Sequence, residues 1–542
     1  MLRLFSILTL YLLSLSSFAA ANDINTDADS AFSTLVQQLP VTKLNKMAPL
    51  IEKIAATSAP KTRDLLQSML NGELYYLKAS KQVVIAKPNN SKGYDLTDIL
   101  QDTELGAVKK SQISKLKSNN RLRGQIRDLL AQIDFTHSDQ KIRLEAVKQL
   151  LNNPNKEGIA SLQKLVEAEQ DVAVREMMNV VLSVNQLETG APAEKLAAAL
   201  QLKGRLEPAV KNAMEKQLQA LQQTDTNPEL KTALNDGIGK IEQSRTVYQF
   251  IENLFFGLSL GSVLLLAAIG LAITFGVMGV INMAHGEMMM LGAYTTYVIQ
   301  QSFPSLIEYS LLMAIPAAFI VSGLVGVLIE RGVIRFLKGR PLETLLATFG
   351  ISLILQQLVR TIFSPLNRQV TAPQWMTGSL EINPIFSLTY NRLYIILFSL
   401  TVFFALLLIL KKSALGLHVR AVSQNRDMAR SLSIKSSWVD AITFGLGSGI
   451  AGIAGVVLSQ LTNVGPNLGQ AYIIDSFLVV VFGGVGNLWG TLVAALSLGA
   501  FNKLLEPSMG PVLANIIVLV GLVLFIQKRP KGLFPQKGRA AE

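Results

Sequence analysis

The chain is 542 residues long, half of them hydrophobic and only 16% charged, with a net charge of +12 and no cysteine. A soluble chain of this size carries charge on about a quarter of its residues, and here the apolar surplus is gathered between Phe250 and Ile526, which excludes a wholly cytosolic enzyme. The lack of cysteine removes disulfides, thiolate zinc sites, iron–sulfur clusters and cysteine nucleophiles, and three histidines (His137, His285, His418) cannot build a histidine-rich metal centre.

Residues 1–21 start with Arg3, run apolar from Leu4 to Phe18 and end on Ala19-Ala20-Ala21. This is the pattern of a secretory signal, and the apolar run is short for a membrane span of about 20 residues. Residues 22–245 are then expected to form a mainly helical extracytoplasmic domain. Within it, Glu73–Lys87 predicts two short strands around Ala79-Ser80-Lys81. Further on, Asp139, Ile142, Arg143, Ala146 and Leu150 recur as Asp171, Val174, Arg175, Met178 and Leu182. The repeat fits either HEAT-type helical pairs or a plain helical bundle.

Beyond Arg245 the hydropathy predicts spans at roughly 250–276, 277–300, 308–329, 343–363, 391–410, 438–460, 471–486, 488–504 and 510–527, about eight or nine in all. Two of these, 277–300 and 471–486, are candidates for broken helices. Arg331, Arg335, Lys338 and Arg340, then Lys411 to Lys435, then Lys528 to Arg539 fall in alternate loops. By the positive-inside rule those loops are cytoplasmic, as is the basic tail 531–542. The fold class is therefore all-α: a polytopic helical membrane protein with an N-terminal soluble domain.

Several catalytic patterns occur by accident. Gly257-Leu258-Ser259-Leu260-Gly261 fits G-x-S-x-G, but it lies in an apolar helix with no strand before it. Gly447-Ser448-Gly449-Ile450-Ala451-Gly452 fits G-x-G-x-x-G inside a span, where small residues four apart serve close helix packing. No G-x-x-x-x-G-K-[ST] occurs, so the chain is not expected to bind ATP by itself. No metal, cofactor or nucleic-acid partner is implied.

Polar groups at membrane depth are costly and mark either a path or interhelical contacts. Asn282, His285 and Glu287 open the second span. On a regular helix Asn282 and His285 share a face while Glu287 points nearly opposite to His285, which argues against one shared metal or proton site. Capping a broken helix and lining a path both fit. Thr348, Ser352, Gln356 and Arg360 form a stripe along one helix. Asp440 is expected at the interface, and Asp475 in or near a span.

The segments INMAHGE at 281–287, IERGVIRFLKGRPLETLLATFGISLILQQLVR at 329–360, LGLHVRAVSQNRDMARSLSIKSSWVDAITF at 415–444 and FGGVGNLWG at 482–490 resemble the branched-chain amino acid permease family of ABC importers. The likeness covers roughly 250–530. Within the family, the block at 339–360 together with an exported extension is most similar to the urea permeases. The resemblance implies a bacterial inner-membrane subunit, not itself an enzyme. Its partners would be a second permease subunit, two cytoplasmic ATPases and a periplasmic solute-binding protein, with lipid around the spans.

Urea offers one carbonyl acceptor and two amine donors, which side-chain amides and hydroxyls can match without charge. The candidate path residues are Asn282, His285, Glu287, Thr348, Ser352, Gln356, Gln357, Gln460 and Asn463. Branched-chain amino acids or short amides are the rival substrates, and a proton-coupled carrier using His285 and Glu287 the rival class. In the basic loop 411–436, Ala421, Asn425, Met428 and Leu432 recur at helical spacing, predicting a short amphipathic helix between Leu417 and Leu432. It resembles the helix by which ABC permeases engage their ATPases, with Gly416, Arg420, Ala421, Asn425, Asp427 and Ala429 expected at that contact.

Overall fold

A computed structural model describes residues 29–57, 59–89, 93–222 and 227–535. The signal-like segment 1–21 and residues 536–542 of the basic tail lie outside the described residues. The chain divides into two compact units, Met1–Ile241 and Glu242–Glu542.

The N-terminal unit is mainly helical but holds more strand than the sequence suggested. Helices α1 (Met47–Ala56) and α2 (Thr62–Asn71) lead into β1 (Leu74–Leu77) and β2 (Val83–Pro88). These two are the expected hairpin, with Tyr75 opposite Val84 and Lys81 at φ 60° in its turn. Three further strands, β3 (Gly93–Asp98), β4 (Glu104–Lys109) and β5 (Ile113–Lys115), complete an antiparallel sheet of order β4-β3-β2-β1-β5. Apart from one residue, β4 is exposed, so it lacks the apolar alternation by which strands are read from sequence. Leu50, Ile54, Leu65, Leu66 and Ile126 pack with one face of this sheet.

Helices follow: α3 (Asn120–Asp134), α4 (Gln140–Asn152), α5 (Lys156–Leu165), α6 (Val172–Thr189), α7 (Pro192–Gln201) and α8 (Pro208–Gln222). The sequence repeat has a plain physical basis. Asp139 caps α4 by accepting from the Lys141 amide at 2.8 Å, and Asp171 caps α6 by accepting from the Ala173 and Val174 amides. Val147, Leu150, Leu162, Val174, Met178 and Leu187 close the core between the helices. Arg143 donates to both carboxylate oxygens of Glu169, at 2.9 and 3.0 Å. Burial pushes the Glu169 carboxyl up, but the Arg143 guanidinium and the Asp171 amide together hold it below its ordinary value.

Composition changes sharply near residue 245, yet the backbone does not: α9 runs unbroken from Pro228 to Met278. The membrane unit continues with α10 (His285–Ser302), α11 (Ser310–Gly332), α12 (Pro341–Phe363), a hairpin of β6 (Ser379–Asn383) and β7 (Phe386–Thr389), and α13 (Tyr390–Lys412). Then come α14 (Ala414–Gln424), α15 (Arg426–Ser431), α16 (Ser436–Ser459), α17 (Leu468–Gly483), α18 (Leu488–Met509) and α19 (Pro511–Lys528).

Among the described residues, seven helices are long and apolar enough to cross a membrane. The two segments of the sequence reading not among them are α10 and α17, the pair singled out as candidates for broken helices. The break before α10 covers Gly279 to Ala284, so that helix starts eight residues later than hydropathy suggested.

Helix α16 is almost wholly buried and forms the centre of the unit. Its glycines, and not a phosphate-binding loop, explain the G-x-G-x-x-G match. A Cβ on Gly455 would stand 1.8 Å from the Met289 carbonyl oxygen, and one on Gly292 would stand 1.9 Å from that of Gly452. The helices α10 and α16 thus touch backbone to backbone, as small residues permit. The G-x-S-x-G match has the same basis, since Gly261 packs against the backbone of Ala495 and Leu496.

Candidate functional site

Helix α12 is inverted relative to a soluble helix. Its buried residues are Thr344, Thr348, Ser352, Gln356 and Val359, whereas Leu342, Leu346, Ile354 and Ile362 are exposed. In a bilayer the apolar side can face lipid at no cost, so the polar stripe is what binds the helix to the protein.

The stripe meets the start of α10. Glu287 Oε1 accepts from Ser352 Oγ at 2.8 Å and from Gln356 Nε2 at 2.7 Å. Thr348 Oγ1 accepts from the Met283 amide at 3.1 Å, and Asn282 Oδ1 accepts from the Ala284 amide at 3.0 Å, stitching the break that precedes α10. One turn further along α12, Arg360 donates to Asn467 Oδ1 at 2.7 Å, and beyond it Phe363 lies 4.7 Å from the Tyr294 ring. Asn467 and Tyr294 were not singled out from the sequence. Asn467 sits in a turn before α17, where no periodicity marks it.

Three buried polar atoms along this seam have no hydrogen-bond partner among the described residues: Asn282 Nδ2, Glu287 Oε2 and Tyr294 Oη. They comprise a donor, an acceptor and a group that can be either. Unpaired buried polar atoms are costly and mark a place where a ligand or water belongs.

The other candidates lie elsewhere. His285 is fully buried, and its Nε2 lies 2.9 Å from the Ala267 carbonyl oxygen of α9, whereas Glu287 faces α12. The two therefore do not form one relay. Gln357 is exposed on the outer face of α12, and Asn463 is exposed beyond the end of α16. Gln460 lines a separate, mostly apolar cavity of about 310 Å³ with Leu311, Trp375 and Tyr394. Asp475 borders a cavity of about 240 Å³ with Asn502 and Asn515. Among the described residues no group of three or more His, Cys, Asp or Glu side chains could hold a metal.

The basic loop forms two short helices rather than one. Asn425, at φ −152°, interrupts the predicted helix, and its side chain caps α15 by accepting from the Met428 amide at 3.0 Å. Gly416 lies in the first turn of α14, where a Cβ would run into the Leu410 carbonyl oxygen. It does not end that span; Ser413 does, serving as C-cap of α13 and N-cap of α14. Arg420 donates to the same Leu410 carbonyl and, with Gly416, borders a cavity of about 700 Å³.

Ala429 was expected at a partner contact, but it is enclosed among Val419, Val422 and Val439, and Ala421 packs partly against the same cluster. Asn425 and Asp427 are exposed. The apolar side chains offered outward are Leu417, Met428 and Leu432. Asp440 was expected at the interface. It is buried within the protein one turn into α16, where it accepts from Arg426 at 2.6 and 3.1 Å and from Lys338.

Residues 253–527 match the family described as "Branched-chain amino acid transport system / permease component". The high-affinity branched-chain amino acid transport system permease protein LivH of Salmonella typhimurium is 30% identical over 295 residues, covering 52% of this chain and 95% of the relative. The corresponding protein BraD of Pseudomonas aeruginosa is 29% identical over 298 residues, covering 53% and 96%. The ribose import permease protein RbsC of Escherichia coli is 29% identical over 264 residues, covering 47% and 77%. No solved structure matches the chain. With half of its length in the family match and nearly the whole of two relatives covered, the chain belongs to the family of branched-chain amino acid transport system permease components.

Proposed function

We propose that the chain is the membrane permease subunit of an ATP-driven importer and that it passes a small neutral polar solute, urea first among them, along the seam between α10 and α12. The observation that carries this reading is the set of unpaired atoms along it, Asn282 Nδ2, Glu287 Oε2 and Tyr294 Oη, with Ser352 and Gln356 donating to the other oxygen of Glu287. A planar diamide offers donors for the free carboxylate oxygen and an acceptor for the amide nitrogen. The site is sealed from solvent, which suits a path that opens only when driven.

Hydrolysis of ATP takes place on two partner ATPases, reached through the exposed Leu417, Met428 and Leu432 and the charged groups beside them. A second permease subunit and an extracytoplasmic solute-binding protein complete the assembly. Residues 22–245 lie outside the cytoplasm, and the C-terminus lies inside.

A second reading is supported by the relatives, whose names describe branched-chain amino acid transport. An amino acid would place its ammonium group on Glu287. Uptake by the whole complex in proteoliposomes, with labelled urea and labelled leucine in parallel, separates the two. ATP-dependent urea uptake that excess leucine does not inhibit is the expected result; leucine uptake without urea uptake overturns the urea assignment.

A further inference from the structure

Two segments converge on one carboxylate at the end of the membrane unit that carries the basic loops, one just before it in the chain and one about a hundred residues earlier. Asp440 belongs to the buried central helix α16, and only 2% of its side chain is exposed. Arg426, the first residue of α15, holds it with two hydrogen bonds. Lys338, in the loop before α12, binds the same oxygen as the closer of the two Arg426 bonds.

Each of these cations stands at the root of something larger. On one side, Arg426 is tied into a compact cap. Asn425 caps α15, Arg430 donates to Ser436 Oγ at 2.9 Å, and Ala429 is packed against Val439. On the other side, Lys338 stands three residues before α12, and the turn between them is closed by Thr344, whose Oγ1 donates to the Leu337 and Arg340 carbonyl oxygens. Thr344 begins the stripe that continues through Thr348 and Ser352 to Gln356 and the Glu287 carboxylate.

We infer that Asp440 is a positioning residue that couples the two halves of the transport cycle: it links the segment facing the ATPases to helix α12, and through α12 to the polar seam. The inference rests on the proposed function. The physical case is that one buried carboxylate is shared by two cations. Moving α15 withdraws Arg426, and the remaining charge must then be met by Lys338 or by water. Either response shifts the root of α12. That helix is held through its polar stripe, so a shift at its root alters the pairing of Ser352 and Gln356 with Glu287. Asp440 thus supplies the discrete two-state contact that a coupling route requires.

The experiment uses the complete complex in proteoliposomes and reads the amount of solute imported per ATP hydrolysed, with labelled urea and labelled leucine as the two probes. Arg426→Gln and Lys338→Met are each expected to lower that ratio about tenfold, a typical size for coupling between sites, while ATP hydrolysis continues. Arg426→Lys keeps the charge but loses the two-pronged contact, and an intermediate ratio is expected. This variant also serves if Arg426→Gln does not insert. Because both cations act through one carboxylate, removing either should change little further in an Asp440→Asn background.

A ratio equal to wild type in Arg426→Lys and Lys338→Met overturns the inference, even if absolute rates fall, because that is the signature of a merely structural staple. Multiplicative losses when either cation is removed in the Asp440→Asn background also overturn it. If the wild-type complex shows no ATP-driven uptake of either probe, the proposed function itself fails and this inference falls with it.

Discussion

Gln356 and Glu287 are joined at 2.7 Å across two helices, with Ser352 donating to the same oxygen at 2.8 Å, and the second oxygen of Glu287 is left without a partner. A carboxylate satisfied on one side and open on the other, at membrane depth, is the arrangement a transient ligand needs. Gln356→Leu removes one of its two donors. Bonds to a charged group are worth about 1.5–3 kcal/mol, so transport should fall on the order of tenfold or more. Uptake normalised to the amount of inserted protein checks this, and normal uptake at normal abundance would reduce the stripe to helix–helix contact.

The backbone contact of α10 with α16 leaves no room for a side chain. Gly455→Val should abolish stable insertion, because the added Cβ would lie 1.8 Å from the Met289 carbonyl oxygen. Gly521, with nothing near its Cβ position, is the control. Gly521→Ala should insert normally, and membrane abundance by immunoblot compares the two.

Leu432 and Ala429 separate contact from folding within the basic loop. Leu432 is exposed and Ala429 is enclosed. Leu432→Asp should weaken ATPase association while leaving the permease intact. Ala429→Arg should displace α15 and expose the loop to protease. Co-purification with the ATPases and limited proteolysis report the two effects, and a protected loop in Ala429→Arg would contradict the packing described.

The Arg143–Glu169 pair gives the N-terminal unit a pH signature. The folded-state pKa of Glu169 is depressed, so its contribution is complete above about pH 5. It is lost as pH falls through the ordinary glutamate value near 4.3 and then through the depressed one. Arg143→Met should cost about 2 kcal/mol at neutral pH, and the part owed to Glu169 should shrink in acid, while the part owed to the His137 and Ser138 carbonyls persists. Hydrogen exchange of α4 and α6 in the full chain at pH 7 and pH 3.5 measures it. An undiminished gap at the lower pH would be the contrary result.

The placement of residues 22–245 outside the cytoplasm is open to a direct test. A reporter active only in the cytoplasm, inserted near Gly190, should stay silent. Strong activity there would reverse the topology derived from loop charge.

Much of the membrane unit is legible because its signals are local. Apolar runs give the spans, the spacing of Thr348, Ser352 and Gln356 puts them on one face, and the separation of His285 from Glu287 follows from helix geometry. The long-range partners are not legible in this way. Nothing in the sequence around Asp440 shows that Lys338 and Arg426 share its carboxylate. Gln460 and Asn463 have the right chemistry but end up away from the seam, because residue type says nothing about which helix lies opposite. In the N-terminal unit, β3 to β5 carry no clear signature, since short, partly exposed strands owe their pairing to neighbours rather than to their own periodicity.

The glycine contacts also divide the membrane unit into parts that can and cannot slide. Where Gly292 meets Gly452, Gly455 meets Met289 and Gly286 meets Gly469, main chain rests on main chain, and no rotamer change can absorb relative displacement. The helices α10, α16 and α17 must therefore travel as a solid block. Helix α12 has a different footing: it meets α10 through a hydroxyl, an amide and a carboxylate, contacts that can exchange partners without steric penalty. Of the two kinds of contact, only the one made by α12 leaves room for displacement along α10.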